Sequence, residues 1–495
     1  MTRSRQKAFY NPVLIHVFIA VCLMTPPRLF AGEQAERAIA AVEKLIDAGK
    51  VDKNAVIKLV AKQGNINNFW GNDFELKREW ERRTGILLDA AVMPQLPVLD
   101  FLRNNNELDI TLARQREYPD LYTEGLIADL SAYLHQYGFR IDDNPIDGII
   151  IPESQTEFDG KVVAIPADGD IAILYLRQDL MEDPQNKATF KQRYHRDLKP
   201  PSTWDEYQDL IAFFHHPERG FYGSCEQRDP QTGWMFWMPR YVSQASPNQF
   251  LFDEKMHPLI NSKAGVDATN SYLKTIAFSP PHILQEGNHY NYTIPIYRRG
   301  DAFAHIITMA LAKMLNLESS PVRGKFMCAL MPGTVVGDKL IRRTSFIYGN
   351  NIVISGSSKQ KELGFLFAQW ISDPDISTRS ITVTTGIADP YRFNHLEDPR
   401  VQSIYTKQAL ESLGRHATIA VPAGTGLPGD SEYITALNTY LWAAAKSELT
   451  AQEAMDKTAR QWDRITDTYG RDKQIHYWRS FRKKFPQTAF PAPGR

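Results

Sequence analysis

Short apolar runs of strand length alternate with amphipathic segments of helical length along most of this chain. A helix near residues 74–83, which Gly85 ends, leads into Ile86-Leu87-Leu88, and a helix near residues 97–103 precedes Asp109-Ile110-Thr111-Leu112. Strands that alternate with helices of about ten residues indicate β-α-β units. Such units build a mainly parallel sheet with helices on both faces. The sequence therefore predicts an α/β fold, and its 495 residues suffice for about two or three domains.

Both ends of the folded chain depart from this alternation. Residues 32–63 carry apolar positions at helical spacing on either side of Gly49, which predicts a helical extension of two helices before a first strand toward Phe69-Trp70. Residues 486–495 contain three prolines, which predicts a flexible tail.

The first 31 residues have the pattern of an export signal. Three basic residues precede an apolar run from residue 13 to residue 24, and the segment ends at the small residue Ala31. A basic start, a short apolar middle and a small-residue exit are typical of a secretory signal peptide. Twelve helical residues span about 18 Å, too little for a hydrocarbon core of about 30 Å. We expect residues 1–31 to be a signal peptide cleaved near Ala31, which leaves a soluble protein in the periplasm.

Charge and cysteine content exclude several kinds of partner. The chain has 57 Lys and Arg residues against 57 Asp and Glu residues, and the export signal holds bases but no acid. The remainder lacks the basic excess that attracts nucleic acid. Cys225 and Cys328 would reach an oxidising compartment, where a disulfide is the alternative to two separate buried thiols. Neither cysteine belongs to a C-x-x-C motif, so we expect separate thiols and no metal site.

One glycine-rich motif resembles a cofactor loop only in its spacing. Residues 424–429 read Gly-Thr-Gly-Leu-Pro-Gly, which fits G-x-G-x-x-G. A dinucleotide loop lies within a β-α-β unit, whereas helical segments alone follow this motif. We expect a connecting loop that leads into a helix at Asp430, and no cofactor.

Asp168 and Asp170 flank Gly169 and are the candidate acids of a secreted carbohydrate-active hydrolase. A glycosidase needs two carboxylates across a cleft. Such a pair arises by chance among 57 acids, and the sequence contains no nucleophile elbow. We therefore assign no catalytic residue and keep the hydrolase as the alternative to a binding protein.

Aromatic and polar side chains recur at positions that read as loops or helix starts. Carbohydrate binding needs this mixture, because flat rings cover the apolar faces of a sugar while charged and amide groups bind its hydroxyls. The alternative for each aromatic residue is a place in the core. The candidates at these positions are Trp70, Asn72, Asp73, Trp234, Trp237, Tyr348, Asn350, Tyr391 and Arg392.

Several blocks in order resemble a known family. The chain is similar to the extracellular solute-binding proteins of ABC sugar importers, in the family 1 group related to maltose-binding protein. Two departures are the extension at residues 32–63 and the presence of His305 and Ile306 where the family has Met or Trp. The blocks that carry the resemblance are Trp70-Gly71, Thr84-Gly85-Ile86, residues 158–180, Pro200 to Glu206, Arg299 to Ala304 and Gly386 to Arg392.

The resemblance implies two α/β lobes with a ligand cleft between them. Lobe 1 would comprise residues 64–168 and 329–386, and lobe 2 residues 169–328 and 387–485, with crossings near residues 168–171, 329–332 and 386–389. Besides the candidates above, it implies ligand contacts for Arg114, Asp168, Asp170 and Tyr433. The expected protein is a monomer that captures a carbohydrate, or another solute such as a polyol, peptide or metal chelate, and delivers it to inner-membrane ABC permease subunits.

Overall fold

The computed structural model describes residues 32–94, 96–345 and 349–493, so the predicted export signal lies outside the described residues. The strands are β1 Val56–Ala61, β2 Leu87–Val92, β3 Ile110–Arg114, β4 Glu157–Phe158, β5 Lys161–Val162, β6 Ile173–Arg177, β7 Tyr222–Ser224, β8 Ala302–Ile307, β9 Phe326–Ala329, β10 Gly333–Val336, β11 Lys339–Arg342, β12 Thr344–Ser345, β13 Asn350–Ile354, β14 Ala420–Val421 and β15 Phe490–Pro491.

The helices are α1 Glu33–Asp47, α2 Gln63–Trp70, α3 Glu75–Thr84, α4 Val98–Asn104, α5 Tyr118–Thr123, α6 Ser131–Tyr137, α7 Pro152–Thr156, α8 Gln178–Glu182, α9 Pro184–Tyr194, α10 Trp204–Phe213, α11 Gly233–Val242, α12 Lys263–Lys274, α13 Tyr290–Arg299, α14 Ala310–Leu315, α15 Lys361–Ile371, α16 Pro374–Ile381, α17 Phe393–Glu397, α18 Pro399–Tyr405, α19 Lys407–Ala417, α20 Asp430–Ala445, α21 Ala451–Thr468 and α22 Arg471–Phe481.

The first sheet has the strand order β13-β3-β1-β2. Strand β1 pairs in parallel with β2 and β3, and β13 returns antiparallel beside β3. The prediction of a second helix within residues 32–63 was wrong, because Val56–Ala61 is the strand β1. Its buried residues alternate, as a strand with one face on the core requires. The strand expected toward Phe69-Trp70 is also wrong, since these residues end helix α2.

A first hydrophobic core packs against this sheet. Helix α1 lies against α15, and the ring of Trp80 on α3 contacts both Phe367 and Trp370 on α15. The members of this core come from residues 35–139, from Ile165 and from residues 352–376. The chain therefore contributes to the first core from both its beginning and its last third.

The second sheet has the order β7-β8-β6-β9. Strands β7 and β8 are parallel, whereas β6 pairs antiparallel with both β8 and β9. A second, larger core surrounds it, with members from residues 150–331 and 381–485. Helices cover both sheets, which confirms the predicted α/β class, but the prediction of a mainly parallel sheet is wrong for the second sheet, where two of the three strand pairs are antiparallel.

Three smaller sheets accompany the two main sheets, and one of them is the antiparallel pair β4–β5. Strand β12 pairs with β14, while the hairpin β10–β11 pairs with β15. Strand β9 still pairs within the second sheet, and the chain enters the first sheet at β13, later than the crossing between lobes predicted near residues 329–332. The tail predicted to be flexible includes β15, and the Pro486 carbonyl accepts a hydrogen bond from Asn248 Nδ2 at 2.8 Å. Cys225 and Cys328 are buried free thiols, as predicted.

Candidate functional site

Three buried acids meet where the chain passes between the two sheets. Asp168 and Asp170 follow Ile165, and Asp389 follows α16 much later in the chain. Asp168 Oδ1 accepts the Asp389 N–H at 2.8 Å, and Asp168 Oδ2 accepts Asn350 Nδ2 at 3.1 Å. Asp170 Oδ2 accepts the Gly349 N–H at 3.0 Å. The acids thus tie three separate connecting segments together, and they bring the predicted site residues Asp168, Asp170 and Asn350 close to one another.

Burial sets the charge of this acid cluster (Asp168, Asp170 and Asp389). Burial, with the nearby Asp170 carboxyl, raises the pKa of Asp168 well above its usual range. Burial and a neighbouring acid likewise raise the pKa of Asp170 to about 7 and the pKa of Asp389 to about 7. Since like charges in a dry site cannot all ionise, the cluster retains protons at neutral pH.

One carboxylate oxygen of each acid lies within 4.8 Å of the other two, which is close enough to hold a cation. Main-chain N–H groups already bind an oxygen of each acid, the one on Asp389 coming from Ala310 at 2.9 Å. The buried ammonium of Lys313 also lowers the pKa of Asp389 by its charge. Because its oxygens already have these partners, we interpret the cluster as a structural joint between chain segments.

The carboxyl end of the first sheet presents two cations toward this joint. Lys62 directly follows β1, and Arg114 ends the neighbouring strand β3. Leu59 pairs with Ile110 and Val60 with Thr111, a register that continues to place Lys62 opposite the residue before Arg114. Among the charges that act on Lys62 are those of Arg114 and Asp170. The sequence did not indicate Lys62 as a candidate site residue, because strand β1, which ends just before it, was predicted to be a helix.

Trp70, Asn72 and Asp73 lie at the exit of α2. Asn72 and Asp73 are exposed, and Trp70 is half-buried against the first core. The Lys77 ammonium lies 5.1 Å from the centre of the Trp70 ring and covers one face of it. Trp70 therefore has at most one ring face to offer a ligand.

The rings of Trp234, Trp237 and Tyr433 are sealed inside the second core, with relative exposures of 1%, 0% and 0%. Trp237 Nε1 donates to Thr269 Oγ1 at 2.8 Å, and the Tyr433 hydroxyl lies 2.8 Å from Thr466 Oγ1. Their expected place on a ligand-facing surface is not what the structure shows. Helix α11 is buried all round, so the three-residue spacing of its tryptophans marks core packing.

Tyr391 and Arg392 are also buried, at 3% and 1% exposure. Arg392 Nη1 donates to the Asp147 carbonyl at 2.8 Å, and Arg392 Nη2 donates to the Ser372 carbonyl. The guanidinium thus holds main chain together beside the joint rather than facing a ligand. Tyr348 lies outside the described residues.

The loop after β7 holds polar groups that the sequence analysis missed. Glu226 receives Arg240 Nη2 at 3.0 Å and lies 3.2 Å from Arg228 Nη2, and all three side chains are buried. Between them, Gln227 is 0% exposed, and neither amide atom has a hydrogen-bond partner among the described residues. An unpaired buried amide costs free energy, so Gln227 is a candidate for ligand contact. Its position just past a strand was the available signal.

A second set of contacts joins the two cores directly. Arg116 Nη1 donates to Asp430 Oδ2 at 3.2 Å, and the Gly429 N–H donates to Asp120 Oδ1 at 2.6 Å. Arg116 and Asp120 flank Tyr118 of a cluster beside the first sheet, while the loop before Asp430 packs into the second core. The loop 424–429 is therefore a connection that leads into α20, as predicted, and it also bridges the two halves.

Comparison with known proteins identifies the fold. The chain is similar to a solute-binding protein of an ABC transporter from Agrobacterium radiobacter K84 in complex with ribitol, with 18% identity, a TM-score of 0.66, and 83% of this chain and 99% of that chain covered. The maltose-bound MalE3 protein of T. maritima has 18% identity and a TM-score of 0.65, covering 83% and 100%. A solute-binding protein from Agrobacterium vitis S4 with bound D-mannitol has 16% identity and a TM-score of 0.63, covering 84% and 99%.

These likenesses show the two-lobed fold of periplasmic binding proteins and confirm the predicted architecture. Within the described residues, no helix combines the length and apolar character needed to cross a membrane. The family model of bacterial extracellular solute-binding proteins matches residues 102–403, well over half of the chain. The chain belongs to the bacterial extracellular solute-binding protein family.

Proposed function

We propose that this protein is the substrate-binding component of an ABC importer and that it captures a carbohydrate or polyol between its lobes. One observation carries the proposal: side chains at the carboxyl ends of strands from both sheets converge on Asp170. Lys62 follows β1, Thr308 follows β8, and both interact with that carboxyl group. In open α/β sheets, ligands bind outside the carboxyl ends of the strands. The ligands of the similar structures are ribitol, maltose and D-mannitol, which supports this ligand class.

The lobes that we propose follow the two cores, except that Ile150 and Ile381 belong to lobe 1 and pack into the second core. Residues 32–168 and 349–386 would form lobe 1, which includes the predicted extension because β1 lies in its sheet. Residues 169–345 and 387–485 would form lobe 2. The main change from the sequence-based division, besides the inclusion of the extension, is that β10 to β12 go with lobe 2.

The ligand contacts that we propose are the accessible polar groups of lobe 1 and the unpaired amide of lobe 2. Arg114, Asn72 and Asp73 remain from the original set, and Lys62 and Gln227 join it. Trp70 would contribute one ring face. The buried groups Asp168, Asp170, Asn350 and Arg392 would support the joint about which the lobes move.

Capture would work by a shift in population between open and closed lobes. A ligand that touches both lobes favours the closed form by its differential affinity. To move a closed fraction from 1% to 99% takes about 5.5 kcal/mol. Several hydrogen bonds to charged groups, at about 1.5–3 kcal/mol each, supply that free energy. The inner-membrane permease subunits would then recognise the closed form. The protein would act as a monomer, and residues 1–31 would be the signal peptide that directs its export.

The alternative of a secreted hydrolase gains no support from the acid cluster. Asp168 is 0% exposed and Asp170 is 5% exposed, and both carboxylates accept main-chain N–H groups. A general acid must reach the glycosidic oxygen of its substrate. Capture without chemical change is therefore the better proposal.

A ligand screen tests the proposal. We would measure the Tm of the mature protein with neutral monosaccharides, polyols and oligosaccharides, because a ligand at one hundred times its Kd adds about 2.7 kcal/mol to stability. Gln227→Ala should raise the Kd of the tightest-binding ligand by about tenfold, whereas Gln136→Ala, at an exposed site on α6, should leave that Kd unchanged. New reducing ends after incubation with oligosaccharides would support the hydrolase instead, and no response to any carbohydrate or polyol would overturn the proposal.

A further inference from the structure

The last α-helix of the described residues, α22, is fixed to the second core along one side. Its residues Gln474 and Trp478 are both 0% exposed. The Trp478 ring packs on Phe252, with ring centres 5.5 Å apart, and Gln474 Nε2 donates to the Pro428 carbonyl at 2.8 Å. Phe481, which ends the helix, belongs to the same core. Helix α22 is therefore a firmly attached part of the half that we propose as lobe 2.

Another side of α22 contacts the half that we propose as lobe 1. The Tyr477 ring packs on Phe158, with ring centres 5.1 Å apart, and Phe158 is buried in the cluster beside the first sheet. His476 Nε2 lies 2.8 Å from Asp159 Oδ1. Because His476 is 66% exposed at its side chain, this pair contributes little to stability. The contact between the two rings is the firmer of the two.

The lobe 1 side of this contact is a tight hairpin. Strands β4 and β5 pair antiparallel with Phe158 opposite Lys161, so that Asp159 and Gly160 alone form the turn. Their φ angles are 49° and 70°, the positive values that the favoured two-residue hairpin turn requires. A turn this short gives the hairpin little freedom to follow α22 when the lobes move.

Lys484, just beyond α22, makes a charged contact with the same half. Its ammonium donates to the Glu153 carbonyl at 2.7 Å and to the Glu157 carbonyl at 2.8 Å, at the end of α7. Burial between these segments lowers the pKa of the ammonium to about 8, whereas the charges of Glu157 and Glu153 favour its charged form. Hydrogen bonds from a charged donor are about twice as strong as neutral ones. Lys484 is thus the main polar link between this end of the chain and lobe 1.

We propose that residues 471–485 form a strap across the two lobes, which releases lobe 1 when the lobes move and thereby limits how fast ligand enters and leaves. The inference rests on the proposed function, because it needs lobes that move during capture. The strap is fixed to one lobe and the hairpin to the other, so a change in the angle between the lobes has to break the contacts of Tyr477 and Lys484. Contacts that break before a hinge can move raise the barrier to that movement.

Double electron–electron resonance tests the strap without any ligand. Nitroxides attached at Glu107→Cys in lobe 1 and Lys263→Cys in lobe 2, both 88% exposed, would report the distance between the lobes, since the native thiols are buried. We expect Lys484→Met to broaden the distribution of this distance. Stopped-flow mixing with the ligand found in the screen should give association and dissociation rates at least about fivefold higher in Lys484→Met than in the parent protein.

The matched control is the neighbouring residue. Lys483 is exposed, and Lys483→Met removes the same charge one position earlier, so the distances and rates should stay as in the parent protein. Tyr477→Leu, which removes the ring contact but keeps an apolar side chain, tests the strap by a second route and should also broaden the distances.

Two results overturn the inference and leave the proposed function intact. One is equal behaviour of Lys484→Met and Lys483→Met in both measurements. The other is a Lys484→Met variant that loses stability in urea while its distances and rates stay unchanged, which would make Lys484 a local cap of α7. No binding of any carbohydrate or polyol overturns the proposed function, whereas the distance measurement still decides whether residues 471–485 hold the two halves.

Discussion

The carboxylate of Asp120 accepts the N–H of Gly429 at 2.6 Å, although 309 residues separate them along the chain. Asp120 belongs to α5 beside the first sheet, and Gly429 immediately precedes α20 of the second core. Arg116 and Asp430 form an ion pair next to this contact. Because these bonds join the two halves directly, they stabilise the arrangement in which the halves are together.

Removing the Arg116 guanidinium should favour separation of the halves. In Arg116→Met, the buried Asp430 would keep its hydrogen bonds from Thr425 but lose its cation, and removing one partner of a buried ion pair costs about 3–5 kcal/mol. We expect Kd for the identified ligand to rise by at least tenfold in calorimetry. Arg103→Met, which removes an exposed pair with Glu124, is the control, and an equal change in Kd for both variants would contradict this account.

Gly426→Ala should destabilise the loop strongly. Gly426 has φ of 68°, and an added Cβ would lie 2.1 Å from the Phe481 ring. Gly220 has φ of 69° with open space around it, so Gly220→Ala measures the backbone cost alone, about 1–2 kcal/mol. Urea unfolding should show a loss for Gly426→Ala that exceeds this by about 1–3 kcal/mol. Equal losses would mean that Phe481 moves aside freely.

Stability should fall as pH rises through the range in which Asp170 titrates. Burial raises the pKa of Asp170 to about 7, whereas an aspartate in the unfolded chain titrates near 3.9. Between about pH 4 and pH 7, the folded protein thus holds a proton that the unfolded chain has lost. The contribution of this group to the free energy of unfolding is therefore greatest below about pH 4 and falls across that range. Asp170→Asn should make the decline of Tm from pH 5 to pH 8 shallower by at least about 2 °C. Asp267→Asn, at an exposed site, should leave the decline unchanged, and an unchanged profile in Asp170→Asn would refute the assignment.

Trp237→Ala should act on stability rather than on ligand binding alone. The indole is 0% exposed, stacks on Tyr241 with ring centres 4.6 Å apart, and bonds to Thr269. Truncation of a buried Trp costs about 3–5 kcal/mol. Trp70→Ala, at a half-buried site, should cost less than half of that in urea unfolding. A stable Trp237→Ala variant with impaired binding would restore this ring to the ligand site.

Local signals in the sequence predicted elements well where they were self-contained. Thr203 caps α10 by accepting the Glu206 N–H, and Gly85 ends α3, because both effects act within a few residues. The strand Val56–Ala61 was predicted as a helix because a short apolar run fits the spacing of helices and strands alike. Its β-branched residues favour a strand, and pairing with β2 and β3 on either side stabilises that strand.

The candidate site was predicted only in part because burial depends on distant partners. The main-chain N–H of Trp234 donates a hydrogen bond to Asn438 Oδ1, 204 residues later in the chain. No local sequence pattern reveals a contact over that separation. Asp168 was chosen as a ligand contact, yet its partners Asn350 and Asp389 make it a structural acid. Lys62 became visible as a candidate only when the end of β1 was placed beside β3.

The first sheet takes its fourth strand, β13, from residues 350–354, and α1 rests on α15. Because β13 and α15 complete the sheet and the helix packing of this half, its packing cannot finish until about three quarters of the polypeptide has been synthesised. Contacts of such long sequence separation slow folding. For a protein that we propose to be exported, this late closure means that the leading residues stay unfolded for longer after their synthesis.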